Sequence, residues 1–186
     1  MNFNVHYNLK GKHAFLSGSN SHWINYDHEK LKQVFKNAKA KEEGTMLHDF
    51  ASTAVQKKIK LAPLKKALNL FVNDAISFGM VSEQVLYYSD NCFGTADAIL
   101  FKDNVLRIHD LKTGFSKVSF NQLHIYAAIF CLEYNINPYE IEIVERIYQY
   151  NTFEETIADP DQINMIMSVI VEFDMIIDDM KSEIAI

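Results

Sequence analysis

Three runs of residues with the composition and alternation of β-strands follow one another closely in the middle of the chain. They cover residues 83–89, 93–101 and 105–112, and the last two are joined through "KDN", a length typical of a hairpin. Apolar residues recur at helical spacing on both sides of these strands, over about 40–58 and 119–134. Strands bounded by helices in this order predict an α/β fold.

Further elements extend this pattern. A helix over about 63–79 would begin at Pro63 and end at Gly79, because proline and glycine commonly start and stop helices. Residues 139–150 alternate between apolar and polar types and predict a fourth strand. In the helix over 119–134, the residues expected to point inward are Leu123, Ala127, Phe130 and Cys131.

Two helices are predicted nearer the ends of the chain. Residues 17–24 are rich in capping types and predict a short helix anchored by Trp23. Asp159 and Pro160 would cap a last helix, one face of which carries an apolar stripe. The stripe contains Ile163, Ile166, Met167, Ile170 and Ile177.

The length of 186 residues is most simply that of one domain over 1–186. It would have a mainly helical, basic part (1–80), a sheet core (81–150) and a C-terminal helix (151–186). The start of the chain lacks the apolar segment of a signal peptide, and no apolar run approaches the ~18 residues that span a bilayer. The two cysteines, Cys92 and Cys131, form no ligand cluster. We therefore expect a soluble protein of the cytoplasm with no membrane partner.

The net charge of −6 is divided unevenly along the chain. Residues 1–66 carry 12 Lys/Arg and 5 Asp/Glu, a net of +7, whereas residues 67–186 carry 6 and 19, a net of −13. Such asymmetry favours a polyanion such as DNA as the partner of the basic part. The lysines that we expect to contact DNA are Lys57, Lys58 and Lys60, in a basic stretch that continues to Lys65 and Lys66. The alternative is that these lysines are solvated helix ends.

Carboxylates occur at two positions where the neighbouring residues are apolar. Side chains alternate along a strand, so Asp110 and Lys112 share one face of the strand over 105–112, roughly 6.5 Å apart. On the neighbouring strand, Asp97 lies between two alanines. Buried carboxylates on adjacent strands repel each other, and a divalent cation relieves that repulsion. Oxygen ligands of this kind suit Mg²⁺ or Mn²⁺ better than zinc.

Three further polar residues accompany these carboxylates along the chain. His48 lies beside the apolar stripe of the helix over 40–58, where a histidine is more often a core residue than a ligand. Gln122 and Tyr126 are four residues apart on the helix over 119–134 and could equally form an ordinary polar edge. The order of these residues along the chain together with Asp97, Asp110 and Lys112, and the size of the set, indicate a functional site more strongly than any single residue does.

The motifs "EEGTMLH" (42–48), "GTADAI" (94–99), "HDLKTG" (109–114) and "QLHIY" (122–126) follow in the order seen in one nuclease group. Together they resemble the RecB-family nucleases of the PD-(D/E)XK superfamily, over about residues 15–126. "FLSGSNSHWIN" (15–25) is similar to the opening of a phage- and prophage-associated branch. The chain departs from the pattern in that no proline precedes Asp97 and the second acid is Asp110 rather than glutamate. The resemblance implies a restriction-endonuclease-like core, in which helices flank a central mixed β-sheet of about four to five strands.

The resemblance also implies roles for these residues. His48, Asp97, Asp110 and the backbone carbonyl of Leu111 would hold Mg²⁺ or Mn²⁺, which polarises phosphate and activates water. Lys112 would orient or activate the attacking water and offset charge in the transition state. Gln122 and Tyr126 would position the DNA backbone or the nucleophile through hydrogen bonds. Glu83 would take a supporting role or lie on the surface. An iron–sulfur cluster is not expected, because relatives that bind one use four cysteines.

These implications lead to a metal-dependent deoxyribonuclease, a phosphodiester hydrolase, and more specifically an exonuclease of phage or prophage recombination or repair. An alternative is a DNA-binding or inhibitory protein on the same fold whose site is no longer used. A different metal-dependent phosphoesterase or a structural α/β protein is a third interpretation. The sequence leaves open a homo-oligomeric state, a partner protein in recombination or single-strand annealing, and action as a phage protein in the host cytoplasm.

Overall fold

The computed structural model describes residues 4–114 and 117–184. Contacts within the chain divide it into two compact units, Met1–Glu43 and Gly44–Ile186. Helix α1 (His28–Gln56) contributes residues to both units. The sequence predicts a single domain over 1–186, which would contain both units, and this stays a prediction.

In the first unit, a 3₁₀ helix over Ser21–Asn25 lies where residues 17–24 predict a short helix. The Trp23 indole Nε1 donates a hydrogen bond of 2.9 Å to the Ser17 carbonyl, and the indole is half-buried. Trp23 therefore holds Ser17, in the segment before the 3₁₀ helix, against this helix.

Helix α1 begins much earlier than the predicted start near residue 40. The Asp27 carboxylate accepts a hydrogen bond of 2.7 Å from the Lys30 amide, as expected of a residue that caps a helix N-terminus. The sequence does contain a signal for this start, namely the helical spacing of Leu31, Val34, Phe35 and Ala38. The many lysines between these residues obscure it.

The second unit is built on one five-stranded sheet in the order β1-β2-β3-β4-β5. The strands are β1 (Val81–Ser89), β2 (Cys92–Lys102), β3 (Val105–Leu111), β4 (Glu142–Gln149) and β5 (Thr152–Ile157). All neighbours are antiparallel except β3 and β4, which are parallel. The predicted fold class, an α/β protein with a mixed sheet of four to five strands flanked by helices, is confirmed.

Turn chemistry explains the connections on either side of β3. Asp103 and Asn104 join β2 to β3 with φ of 52° and 59°, the left-handed values that a two-residue hairpin turn needs and that these types tolerate. Parallel strands cannot be joined by a short turn, and α3 (Asn121–Tyr134) lies in the longer connection from β3 to β4.

Helix α2 (Ala67–Phe78) ends at Gly79 as predicted, and Gly79 has a left-handed φ of 76°. The predicted start at Pro63 is wrong. The Asn73 side chain accepts from the Leu61 amide at 2.8 Å and donates to the Leu61 carbonyl at 3.0 Å. These bonds hold the chain before α2 out of the helix.

Two hydrophobic clusters cover the two faces of the sheet. The first packs α3 and α4 (Pro160–Ile184) on the sheet and contains Ile108, Leu123 and Ile163. The second packs α2 and the end of α1 on the other face and contains Phe71 and Leu111. The residues of α3 predicted to point inward are all buried: Leu123, Ala127, Phe130 and Cys131.

The apolar stripe of α4 is buried only at its start. Ile163 is fully buried and Met167 is half-buried, but Ile177 is 38% exposed. From Asp174 onward the helix contacts the β1–β2 turn through polar groups, since the Asn91 side chain donates to Asp174 at 2.8 Å. None of the described helices combines the length and the apolar character that a membrane-spanning segment needs.

The sequence does not reveal β5. Its residues, "TFEETI", are nearly all exposed on the edge of the sheet, so the strand has no alternating buried face to detect. The segment 151–186, predicted as a C-terminal helix, therefore begins with a strand.

Candidate metal centre and adjoining polar residues

Asp97 and Asp110 lie side by side on the β2–β3 hairpin. Ala98 pairs with His109, so the two aspartates are the next residues along the antiparallel strands. Asp110 is 3% exposed, and Asp97 is also largely buried. The Leu111 amide donates a hydrogen bond of 2.8 Å to Asp97 Oδ2, which fixes that carboxylate against β3. The side chain of Leu111 is in the core, and the predicted role of its carbonyl stays a prediction.

Two further side chains converge on Asp97. His48 Nδ1, from α1, is 3.3 Å from Asp97 Oδ2. Glu83 lies across from Asp97, because Ser82 pairs with Ala98 and Gln84 with Ala96. One ligand atom from each of His48, Glu83 and Asp97 lies within 4.8 Å of the other two.

The backbone of Glu83 is unusual. Its φ of 53° is in the left-handed region, which residues other than glycine and asparagine rarely adopt inside a strand. In this conformation, the Glu83 carboxylate lies beside His48 and Asp97. A definite role for Glu83 could not be predicted from the sequence, because only the register of β1 on β2 shows that it faces Asp97.

The electrostatics of this cluster favour a bound cation. Burial and the charge of Asp97 raise the pKa of the Asp110 carboxyl, although Lys112 opposes this. Burial and Asp97 likewise raise the pKa of Glu83. The hydrogen bond to Asp97 raises the pKa of His48, although burial opposes this. A positive charge among these groups would favour the ionised carboxylates and the neutral imidazole, which are the forms that bind metals.

The donor set fits a divalent cation. Asp110 Oδ2 is buried without a hydrogen-bond partner, although the Lys112 ammonium is 3.0 Å away as an ion pair. A carboxylate oxygen that is left over in this way is available as a ligand. Carboxylate oxygens with a single imidazole nitrogen suit Mg²⁺ or Mn²⁺, and the His48, Glu83, Asp97 and Asp110 side chains could hold it together.

A chain of hydrogen bonds continues from Asp110 into α3. Lys112 Nζ lies 3.1 Å from Asp110 Oδ1 and donates to Gln122 Oε1 at 2.6 Å. Gln122 Nε2 donates to the Tyr126 hydroxyl at 3.0 Å. Burial raises the pKa of Tyr126, so this hydroxyl stays protonated near neutral pH. The structure thus brings together His48, Asp97, Asp110, Lys112, Gln122 and Tyr126.

Gly94 permits the close approach of Tyr126 to β2. A Cβ atom at this position would lie 2.8 Å from Tyr126 Cε1, well inside van der Waals contact. The glycine of the "GTADAI" motif therefore has a packing role three residues before Asp97.

The predicted DNA-contacting lysines lie apart from this cluster. Lys57, Lys58 and Lys60 are exposed in the segment that follows α1. Lys58 has a left-handed φ of 55°, and its amide donates to the Val55 carbonyl at 3.0 Å. These three lysines follow the last residue of α1, Gln56. None of the contacts described for Asp97 and Asp110 involves them.

Residues 80–166 match the model of a family described as "Protein of unknown function (DUF2800)". The matched segment runs from the residue before β1 into α4. It includes Glu83, Asp97, Asp110, Lys112, Gln122 and Tyr126, but neither His48 nor the lysines after α1. No curated protein matches the chain, and no solved structure matches it. The similarity therefore covers the sheet and α3, and the family description names no activity.

Proposed function

We propose that this protein is a Mg²⁺- or Mn²⁺-dependent DNA nuclease of the PD-(D/E)XK type, similar to RecB-family nucleases. The observation that carries the proposal is the juxtaposition of two carboxylates, the half-buried Asp97 and the buried Asp110, with an ammonium group, Lys112 Nζ, 3.0 Å from the second. Metal-dependent phosphodiester hydrolysis uses both kinds of group, since carboxylates hold the cation that binds the phosphate and an ammonium stabilises the developing charge.

The carboxylates of Asp97, Asp110 and Glu83, with the His48 imidazole, would hold the cation. When bound, a divalent cation polarises a non-bridging phosphate oxygen and makes water a better nucleophile. Asp97 is held in place for this task by the Leu111 amide. Asp110 offers its Oδ2 atom, which has no hydrogen-bond partner but forms an ion pair with Lys112.

Lys112 would act on the substrate. Its ammonium is fixed between the Asp110 carboxylate and Gln122 Oε1, so it can hold the attacking water and face the negative charge that grows on the phosphate. Water attacks phosphorus, and the opposite P–O ester bond breaks with its electron pair on the leaving oxygen. The water gives up a proton to a base or to solvent, and the leaving oxygen takes a proton from solvent to become a hydroxyl group. Gln122 orients the ammonium, and Tyr126 in turn anchors the Gln122 amide.

The preference for an exonuclease acting on phage or prophage DNA in recombination rests on the resemblance of the motifs. The exposed lysines after α1 support a DNA substrate, because lysine ammonium groups attract the negatively charged phosphates. Such contacts do not depend on the DNA sequence. A recombination or annealing partner protein is a further part of the proposal.

The experiment that tests this function compares linear, nicked and closed circular DNA in the presence of Mg²⁺, Mn²⁺ or EDTA. We expect the wild-type protein to degrade linear DNA only with a divalent cation. Asp110→Asn should abolish cleavage and weaken Mn²⁺ binding in calorimetry, while its unfolding temperature does not fall, because the substitution removes repulsion between two carboxylates.

Asp103→Asn is the matched control. Asp103 is an exposed aspartate in the turn of the same hairpin, and asparagine tolerates its left-handed φ of 52°. This variant should cleave DNA as the wild type does. Cleavage by Asp110→Asn at the wild-type rate, or cleavage in EDTA, would contradict the proposal.

A further inference from the structure

A cavity of about 490 Å³ adjoins the proposed metal centre on the side of α2. It is bounded by the start of α2, the end of β3 and the turn between β4 and β5. Lys112 lines it, and the ammonium of Lys112 also lies 3.0 Å from Asp110. Lys112 is therefore shared by the cavity and the proposed site, and the volume of the cavity is within the roughly 300–1,000 Å³ of small-molecule sites.

The lining of this cavity has two chemical parts. Leu47, Leu68 and Leu111 provide an apolar wall, and Tyr150 adds an aromatic side chain that is 53% exposed. Two basic residues, Lys66 and Lys112, also line the cavity. A flat, weakly polar group together with an anion is complementary to such a lining.

The turn that presents Tyr150 is itself unusual. Gln149 pairs with Thr152, so Tyr150 and Asn151 form a two-residue hairpin turn. Tyr150 has a left-handed φ of 55°, a conformation that asparagine or glycine adopts at lower cost than an aromatic residue. The Tyr150 carbonyl accepts a hydrogen bond of 2.8 Å from the Ala67 amide, which fixes the turn against α2. Tyrosine is thus held rigidly in a position that local backbone preference does not favour.

We propose that this cavity binds one nucleotide of the substrate strand, with its base against Tyr150 and its phosphate beside Lys66 and Lys112. The ligand class is a 2′-deoxynucleoside 5′-monophosphate, either as the end of a DNA strand or as a released product. Every base has a flat π face, so stacking on tyrosine accepts any sequence. The inference rests on the proposed nuclease function, and it gives the exonuclease a place for a single terminal nucleotide.

The test measures binding of dAMP by calorimetry in EDTA, so that neither metal nor cleavage contributes. We expect Tyr150→Asn to weaken dAMP binding by roughly 5- to 100-fold, the range that loss of one base–aromatic stack produces. Its unfolding temperature should stay the same or rise, because asparagine suits the left-handed conformation. Tyr150→Phe should bind dAMP nearly as the wild type does.

Two further measurements separate the parts of the ligand. Lys66→Gln should weaken binding of dAMP but not of deoxyadenosine, which lacks the phosphate. Tyr134→Asn, which removes a similarly exposed tyrosine from α3 outside this cavity, should leave dAMP binding unchanged.

Failure of the cavity assignment and failure of the nuclease function give different results. A protein that degrades DNA but whose Tyr150→Asn variant binds dAMP with wild-type affinity overturns the cavity assignment alone, as does a wild-type protein with no dAMP binding at millimolar concentration. A protein that binds dAMP through Tyr150 and Lys66 but never cleaves DNA supports the cavity and overturns the nuclease function.

Discussion

The Lys112 ammonium has a defined position because two acceptors hold it, the Asp110 carboxylate and Gln122 Oε1 at 2.6 Å. Asp110, a buried candidate metal ligand, lies on one side of the ammonium, and Gln122 of α3 lies on the other. A lysine held in this way differs from the solvated lysines of the surface, since it loses little freedom when a phosphate arrives.

We predict that Lys112→Gln keeps Mn²⁺ binding but lowers the single-turnover rate of DNA cleavage by about two to four orders of magnitude, as expected for a positioned catalytic group. Rapid-quench measurements on linear DNA, with calorimetry for Mn²⁺, would check this. Lys102→Gln, which alters an exposed lysine at the far end of β2, is the matched control. Reduced DNA affinity with an unchanged single-turnover rate would instead make Lys112 a simple phosphate contact.

At the scale of elements, the segment between α1 and α2 combines exposure with positive charge. Lys57, Lys58 and Lys60 lie in it, and two hydrogen bonds between Asn73 and Leu61 tie its later part to α2. A basic segment of fixed shape is suited to contact the phosphates of a duplex.

We predict that the triple variant Lys57→Gln, Lys58→Asn, Lys60→Gln weakens binding to every DNA sequence about equally. Asparagine is chosen at Lys58 because it tolerates the φ of 55° there. The slope of log affinity against log salt should fall by up to about 0.9 for each phosphate contact removed. Fluorescence anisotropy with catalytically inactive Asp110→Asn protein would measure it.

Asp179→Asn in α4 provides the control for altered net charge. Unlike Asp179, the neighbouring Asp174 and Asp178 accept hydrogen bonds from Asn91, so their substitution would also disturb packing. An unchanged salt slope in the triple variant would mean that the lysines are merely solvated, as the alternative interpretation holds.

The elements that could be predicted from the sequence are those whose signal is local. The β2–β3 hairpin is one, because Asp103 and Asn104 specify its turn and the apolar runs on both sides specify its strands. Asp97 and Asp110 could be placed together for the same reason. Glu83 could not, because only the register of β1 on β2 shows that it faces Asp97. The edge strand β5 could not, because it has no alternating buried face to detect.

For the whole molecule, one buried polar pair links the sheet to α3. Glu145 on β4 is 0% exposed, and the His124 Nδ1 on α3 is 2.9 Å from its Oε1. Burial raises the pKa of Glu145 to about 7, although His124 opposes this. The alternation of "YEIEIVERIYQY" does place Glu145 on the face of Ile143 and Ile147, but the sequence names no partner for it.

This pair makes the stability of the fold depend on pH. The folded state keeps the Glu145 proton up to its raised pKa of about 7, whereas the unfolded chain releases it near the ordinary glutamate pKa of 4.5. Between these values the folded state binds more protons, so its stability falls as the pH rises. We predict that wild-type protein loses up to about 3 kcal/mol more than Glu145→Gln between pH 4.5 and 7.5.

Urea unfolding at the two pH values would measure this difference. Glu154→Gln, which alters an exposed glutamate on β5, should follow the wild-type pH dependence. Parallel curves for wild type and Glu145→Gln would show that Glu145 is already ionised in the folded protein at low pH, paired with a charged His124.

The hairpin turn at Asp103–Asn104 also has a consequence for the order of folding. A hairpin forms within about 1–10 µs, whereas the parallel pairing of β3 with β4 must wait for the longer connection through α3 to close. We therefore expect Asp97 and Asp110 to meet while both are still hydrated, before α1 and α3 complete the fold around them. A cation that binds them has access to the nascent hairpin itself and does not depend on a later opening of the finished protein.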